Sequence, residues 1–344
     1  MPASLKPLAL LSPLPYLTAG FAPVVVMKEL GFDRDEGLDV EVRDMGIPGN
    51  AYRGLLNREG DATFINTIFT FLTRDKGSDM RIFGAYARHQ NRSFVVPEDS
   101  PVRSIEELKG ATLGLFSMDH EEFAEATLQA HGIDPKRDVR FKNYRTPQSY
   151  DADKMAAALK SGEIKAIWLL DITYGLLAVE GVKVRRLPSK AVDRLTPSSS
   201  LCTNDEVLAK RTEDLAGLNR AIARGTVFSH ANPEAAIRLV WKYEPRARPA
   251  PGQEQRALER DRIGLQVRLH NHGIEDPNKP NLGVIAASEI EGWRDFLFDT
   301  KAIAKKLPVD DYFTTAAMNK VNDFDAPGLV KRAQEFKISE FKVS

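Results

Sequence analysis

The stretch DATFINTIFTFLTRDKGSDMRIFGAYAR, residues 61–88, predicts a strand, a helix and a second strand in succession. Its first six residues, DATFIN, form a short segment with Ala, Phe and Ile, and Phe69 lies in a segment with apolar residues at helical spacing. A second apolar run follows from Met80. Strands that alternate with helices predict the α/β class, with a parallel or mixed sheet.

The same alternation continues on both sides of this stretch. Before it, the pattern predicts a strand at LALLS, a helix over Ala22–Leu30, a strand at GLDVEVRDM and a helix over Ala51–Arg58. A second series begins after RHQN and predicts, in order, RSFVVPED (strand), SIEELKG (helix), ATLGLF (strand), a helix up to Ile133, VRFKNY (strand), DADKMAAALKSG (helix), IKAIWLLD (strand) and VKVRRLP. The chain therefore contains two α/β series.

The chain is expected to leave its first domain, build a second one and return. The segment KAVDRLTPSSSLCTN, rich in Ser and containing Pro, is interpreted as the connection back, and the sequence from Asp205 onward is mostly helical. We therefore predict one lobe from residues 1–88 and 200–344 and a second lobe from residues 89–199. Two crossings between the lobes would form a hinge, with a ligand cleft between them.

Composition excludes several classes of protein. The 344 residues include 48 Lys+Arg and 48 Asp+Glu, so nothing indicates a nucleic-acid or anionic-membrane partner. No apolar run approaches the roughly 20 residues that span a bilayer. The single cysteine, Cys202, excludes an internal disulfide. The N-terminus has no convincing signal peptide, so the protein is expected to be cytoplasmic if Met1 is the native start, or periplasmic if an export signal was removed.

Four segments, in this order, resemble the NMT1-like and SsuA-like solute-binding proteins, which serve sulfonate, nitrate and thiamine-pyrimidine importers of the ABC type. The segments are KELGFDRDEGLDVEV, SPVRSIEELKGATLGL, LKSGEIKAIWLLD and DDYFTTAAMNKVNDFD. The resemblance spans about residues 6 to 336 and implies a type II periplasmic-binding-protein fold of two α/β lobes. It also implies a small ligand and importer membrane subunits as partners.

The same fold hosts enzymes, so fold does not decide function. They include the pyrimidine synthase of thiamine biosynthesis, aromatic desulfinases and dihydroxyphthalate decarboxylases. The pyrimidine synthase has a Cys-rich iron motif, which this chain lacks because Cys202 stands alone. The favoured hypothesis is a periplasmic binding protein for an ABC transporter, and the alternative is a cytoplasmic decarboxylase or desulfinase of an aromatic acid.

Aromatic side chains in the predicted cleft loops point to a flat organic ligand. Tyr16 and Phe21 follow the first strand, where a functional role is favoured. Trp168 lies within a strand, so a role in the core and a role in binding are equally supported. Tyr174 follows the same strand, and Phe69 is expected in the core because of its helical spacing.

Polar residues in the same loops suggest how an acidic or amine group would be held. A helix start at Asn66–Thr67 has no nearby acid and can cradle a carboxylate, whereas the turn at 117–122 is acid-rich and disfavours an inorganic anion. Arg88 and Arg92 can clamp a carboxylate or sulfonate, or form only a solvated hinge. Asp171 can bind a ring N–H or cap a helix. The other ligand candidates in these loops are Thr18, His89, Ser117, Met118, His120 and Thr146.

Catalysis would need different groups. His89 and His120 could transfer protons, and Cys202 could act as a nucleophile. No sequence signature pairs the thiol with a histidine, so we expect these three residues to be non-catalytic. The two histidines of HNHG do not share a helix face, which argues against a metal site. We expect no cofactor.

Overall fold

A computed structural model describes residues 4–13, 18–45, 50–116, 121–144 and 151–337. The strands are β1 (Lys6–Ser12), β2 (Leu38–Asp44), β3 (Ala62–Asn66), β4 (Met80–Ala87), β5 (Arg92–Pro97), β6 (Thr112–Leu115), β7 (Arg140–Asn143), β8 (Ala166–Leu170), β9 (Val184–Arg186) and β10 (Ser199–Asn204). The helices are α1 (Ala22–Glu29), α2 (Phe32–Asp35), α3 (Asn50–Leu56), α4 (Ile68–Asp75), α5 (Glu121–Ala130), α6 (Ala152–Ser161), α7 (Tyr174–Val179), α8 (Lys190–Asp193), α9 (Asp205–Ala231), α10 (Pro233–Tyr243), α11 (Glu254–His272), α12 (Ala287–Asp299) and α13 (Ala326–Glu335).

The first sheet has the strand order β2-β1-β3-β10-β4. β1 is parallel to β2, with Leu8 opposite Val40, and parallel to β3, with Leu10 opposite Ala62. The predicted strand–helix–strand stretch is present as β3, α4 and β4. Its two strands are not neighbours, however, because β10 lies between them and runs antiparallel to both.

The interpretation of residues 190–204 as a connection was wrong in its second half. Residues 199–204 form β10, a central strand whose six residues are all buried. Pro197 and the three serines after it favour a turn over a strand in the sequence, because such residues are typical of turns. Leu201 and Cys202 pair with Phe64 and Thr63 of β3, and this tertiary environment overrides the weak local preference for a strand.

The second sheet has the order β7-β6-β8-β5-β9 and draws all of its strands from residues 92–186. β6 is parallel to β7 and β8, whereas β5 is antiparallel to β8, with Phe94 opposite Trp168. The chain is thus a two-sheet α/β protein, as predicted. The predicted helix at SIEELKG was wrong, because only Glu106–Leu108 form a 3₁₀ turn. A short isolated helix is marginal without tertiary packing.

Three apolar clusters stabilise this arrangement. One lies between the first sheet and helices α1, α9, α10 and α11, and another between the second sheet and helices α6 and α7. The third covers the opposite faces of both sheets and includes residues of α3, α4, α5 and α12. The two sheets therefore share one continuous core on that side of the molecule.

Candidate functional site

The first crossing, residues 88–91, brings strand ends of both sheets into contact. Asn91 Nδ2 donates a 2.8 Å hydrogen bond to Oγ of Ser199, the first residue of β10. The backbone N–H of Asp171, directly after β8, donates to the Asn91 carbonyl at 2.8 Å. In open α/β sheets, ligands bind outside the carboxyl ends of the strands, and β8 ends at this junction.

The Asp171 carboxylate is hydrogen-bonded to other groups of the protein. Its carboxylate accepts hydrogen bonds from Arg268 Nη2 at 2.7 Å, from Arg268 Nε at 3.0 and 3.2 Å, and from Asn271 Nδ2 at 2.8 Å. The backbone N–H of Ile172 donates to it at 2.7 Å. A carboxylate has about four acceptor positions, so Asp171 has little capacity left for a ligand amine. The pair is buried, with both side chains 2% exposed.

Helix α11, which carries Arg268, lies against both halves of the molecule. It packs on α10 and on residues 19–21 beside the first sheet, and on α7 and residues 171–173 beside the second. A Cβ atom at Gly175 of α7 would lie 2.0 Å from the backbone oxygen of Arg260. Only glycine permits this close approach, so α11 connects the two halves in addition to the chain crossings.

This ion pair, two aromatic residues and one histidine form a group that we call the seam cluster: Phe21, Tyr86, Asp171, Arg268 and His272. The Arg268 guanidinium lies 5.3 Å from the Phe21 ring centroid, and Phe21 stacks on Tyr86 at 6.4 Å. Tyr86 and His272 meet edge to face at 5.6 Å. The two charges of the seam cluster compensate each other.

Tyr86 and His272 are uncharged at neutral pH. Burial lowers the pKa of His272 well below its usual range, and the neighbouring His230 and Arg268 lower it further. Burial also raises the pKa of Tyr86. The Tyr86 hydroxyl and both His272 ring nitrogens have no hydrogen-bond partner among the described residues. Buried polar groups are normally hydrogen-bonded, so these three atoms are among the exceptions in the described part of the chain.

The start of α4 has the predicted cap. Asn66 Oδ1 accepts the backbone N–H of Ile68 at 3.1 Å. The Thr67 hydroxyl is 2.7 Å from the Ser200 hydroxyl, and both side chains are buried. The Asn66 Nδ2 atom has no partner within the described part of the chain. The role of this helix start as a carboxylate cradle stays a prediction.

The two arginines of the predicted clamp differ in their surroundings. The Arg88 guanidinium pairs with Glu289 of α12 and donates to the Val284 carbonyl at 2.6 Å. Arg92 begins β5, is 7% exposed and has Nη1 3.5 Å from Asn91 Oδ1. His89 is exposed, 5.9 Å from the His270 ring. Burial and nearby His270 lower the pKa of His89. The clamp stays a prediction, with Arg92 the better placed at the junction.

Of the aromatic candidates that the structure describes, Phe21 belongs to the seam cluster, whereas the others pack in the protein core. Trp168 packs against Phe94 at 4.9 Å and Phe123 at 5.3 Å, so its surroundings favour the core interpretation. Phe69 is buried and stacks on Tyr52, as expected for a core residue. Tyr174 is buried, and its hydroxyl is 3.1 Å from the Ser93 hydroxyl.

Thr18 lies just before Phe21 and accepts its backbone N–H at 2.8 Å. The remaining predicted ligand residues lie outside the described part of the chain. They are Tyr16, Ser117, Met118, His120 and Thr146.

Cys202 is poorly placed for nucleophilic chemistry. It is fully buried within β10, and its sulfur lies 3.4 Å from the Thr70 hydroxyl. Burial raises the pKa of the thiol to about 12. The nucleophile of cysteine chemistry is the thiolate, which this environment disfavours.

We therefore expect the native protein to resist thiol reagents. At pH 8, Ellman's reagent should modify Cys202 slowly in the native protein and immediately after addition of guanidinium chloride. The released thionitrobenzoate, followed by absorbance, measures both rates. Equal rates in the native and the unfolded protein would contradict the buried, protonated thiol.

Sequence reasoning missed three residues of the junction: Tyr86, Arg268 and Asn271. Tyr86 appeared as one residue of an apolar strand, and the other two lie in a predominantly polar helix. The spacing of HNHG bears only on metal binding, although Asn271 and His272 belong to this segment. Arg268 and Asn271 contact Asp171, which lies about a hundred residues earlier in the chain. Nothing in the sequence around them indicates this contact.

Two features are absent from the described residues. They contain no cluster of three or more His, Cys, Asp or Glu side chains arranged to bind a metal ion. Among them, no helix has the length and apolar character required to cross a bilayer.

Comparisons with known proteins agree on the fold. A family model described as NMT1/THI5 like matches residues 18–236, more than half of the chain. No curated protein sequence matches the chain. Among solved structures, the alkanesulfonate-binding protein SsuA from Xanthomonas axonopodis pv. citri, bound to MOPS, superimposes with a TM-score of 0.64 at 13% identity, covering 91% of this chain and 99% of that one.

Two more solved structures show the range of activities on this fold. The periplasmic aliphatic sulphonate binding protein SsuA from Escherichia coli gives a TM-score of 0.61 at 16% identity, covering 89% of this chain and 97% of that one. A variant of the desulfurization enzyme DSZB, in complex with biphenyl-2-sulfinic acid, gives 0.58 at 15% identity, covering 92% and 99%. The chain thus has the periplasmic-binding-protein fold.

Proposed function

Because this chain belongs to the NMT1/THI5-like family, we propose that it is a solute-binding protein that captures a small organic ligand for an ABC importer. The observation that carries the proposal is the junction at Asn91, where strand ends of two α/β sheets meet beside the seam cluster. Ligands of open α/β sheets bind outside the carboxyl ends of the strands, and β8 ends at this junction.

We assign residues 1–88 and 200–344 to one lobe and residues 89–199 to the other. The membership of the strands in the two sheets supports this division. The importer membrane subunits are the proposed partners. The proposed location is the periplasm or another extracytoplasmic space, and the similarity to the periplasmic SsuA of Escherichia coli supports it.

The ligand class is an aromatic or heteroaromatic molecule that can carry one acidic group. Phe21 and Tyr86 supply stacked aromatic rings, and the unpartnered polar atoms of the neutral Tyr86 and His272 are the proposed hydrogen-bond contacts. Since Asp171 compensates Arg268, the seam cluster itself provides no free charge for an inorganic anion. Arg92 is the proposed contact for an acidic group.

We expect aromatic carboxylates, aromatic sulfonates or pyrimidines to raise the melting temperature. A ligand at 100 times its dissociation constant adds roughly 2.7 kcal/mol to the free energy of unfolding. A thermal-shift screen, followed by native mass spectrometry of the stabilised samples, tests this. Stabilisation by nitrate or sulfate alone would overturn the proposed ligand class.

The second candidate function is an enzyme that removes a sulfinate or carboxylate group from an aromatic acid. The likeness to DSZB with its bound sulfinic acid supports it. Chromatography of aromatic sulfinates and carboxylates after incubation distinguishes the two functions, because a binding protein returns its ligand unchanged. Turnover that is lost on replacing His89 or Cys202 would favour the enzyme.

A further inference from the structure

A cavity lies beside the first sheet, between α3 and α4. Its volume is about 590 Å³, within the roughly 300–1,000 Å³ of small-molecule sites. We call it the α3–α4 cavity and define it by Tyr52, Leu56, Phe69, Leu72, Lys76 and Ser78. Glu122 of α5, a helix beside the second sheet, also lines it.

The apolar wall of this cavity is suited to a flat ring. Tyr52 and Phe69 stack almost parallel, with centroids 4.9 Å apart and ring planes at 14°. Leu56 and Leu72 are only partly buried, so each presents apolar surface to the cavity. Offset stacking on such an aromatic pair contributes about 0.5–1.5 kcal/mol beyond the area buried.

Among the described residues, the polar side chains of the cavity leave one positive and one negative charge without an ion-pair partner. Arg58 and Asp79 neutralise each other through hydrogen bonds of 2.6 and 3.2 Å. Lys76 and Glu122 are exposed, and neither forms an ion pair with any other described residue. The Ser78 hydroxyl oxygen is buried and has no hydrogen-bond partner among these residues.

The backbone at Arg58, which also lines the cavity, has an unusual conformation. Arg58 lies two residues after the end of α3 with φ of 63°, in the left-handed region where glycine is favoured. A non-glycine residue costs roughly 1–2 kcal/mol in this conformation. The side chain that remains there contacts Asp79 at the cavity wall.

We propose that the α3–α4 cavity is a second ligand site, and that it takes a flat aromatic molecule carrying both a carboxylate and an amine. The ring lies against Tyr52, the carboxylate faces Lys76 and the amine faces Glu122. This site does not depend on the proposed function at the seam cluster. Because the cavity is lined from both halves of the molecule, its occupancy is coupled to their relative position.

Three probes of similar shape test the charge assignment: tryptophan, tryptamine without the carboxylate, and indole-3-propionate without the amine. Titrations are followed through the NMR methyl signals of Leu56 and Leu72, which separate this cavity from the seam cluster. Tryptophan should shift both signals saturably and bind about threefold to fivefold more tightly than either analogue, as expected for partly exposed charge pairs.

Two surface variants make the assignment specific. Lys76→Gln should remove the advantage of tryptophan over tryptamine, and Glu122→Gln its advantage over indole-3-propionate. Lys306→Gln is the matched control, because Lys306 lies 4.9 Å from the Phe298 ring outside the cavity. Unshifted Leu56 and Leu72 signals, or equal affinities for all three probes, would overturn the proposal whatever binds at the seam cluster.

Discussion

Replacing Arg268 with methionine should lower the free energy of unfolding by about 3–5 kcal/mol, as does removal of one partner from a buried ion pair. The change leaves the Asp171 carboxylate buried without its bidentate partner. Hydrogen bonds from Asn271 and Ile172 remain but do not neutralise the charge. Urea unfolding followed by circular dichroism measures the loss.

Arg262→Met is the matched control on the same helix. Arg262 pairs with Glu234, but their side chains are 46% and 42% exposed, so the change should cost less than about 1 kcal/mol. The double variant Asp171→Leu/Arg268→Met should recover more than half of the loss, because it removes both buried charges. An Arg268→Met protein as stable as the control would mean that the ion pair does not hold α11 against the second sheet.

Replacing Trp293 with alanine should cost about 3–5 kcal/mol, the usual range for deleting a buried aromatic side chain. Trp293 of α12 is fully buried and contacts Phe71 of α4 at 6.3 Å and Phe123 of α5 at 5.3 Å. Its indole nitrogen donates to the Pro197 carbonyl at 2.9 Å. The side chain therefore packs between helices that belong to different sheets.

Phe298→Ala, in the same helix, serves as the control for Trp293. Phe298 is 39% exposed, so its loss should change the free energy of unfolding by less than about 0.5 kcal/mol. Guanidinium titrations of both variants give the two values. A Trp293→Ala cost below 1 kcal/mol would contradict the role of this side chain in joining the two sheets.

Both expected losses concern contacts between the two halves of the molecule, on opposite sides of the junction at Asn91. Helix α11 ties the first sheet to residues 171–173, and helix α12 ties α4 to α5. A solute-binding protein that closes by hinge motion must break or shift such contacts. If the halves move, ligand binding should change the solvent exposure of Trp293.

The sequence by itself determined the α/β class, most helices and strands, and the polar cap at Asn66. These features depend on near neighbours in the chain: the apolar spacing of residues 61–88, or the contact of Asn66 with Ile68 two residues later. Local periodicity and capping carry that information without the rest of the fold.

Only the tertiary structure decided that β10 is a central strand and that Asp171 meets Arg268. β10 has weak strand propensity and is held by β3 and β4 on either side. Asp171 and Arg268 are 97 residues apart, and the sequence around each does not indicate a partner. From the sequence alone, a carboxylate at a strand end is a candidate ligand contact. In the folded protein Asp171 is buried, and a buried charge needs a partner of opposite charge, which here is Arg268.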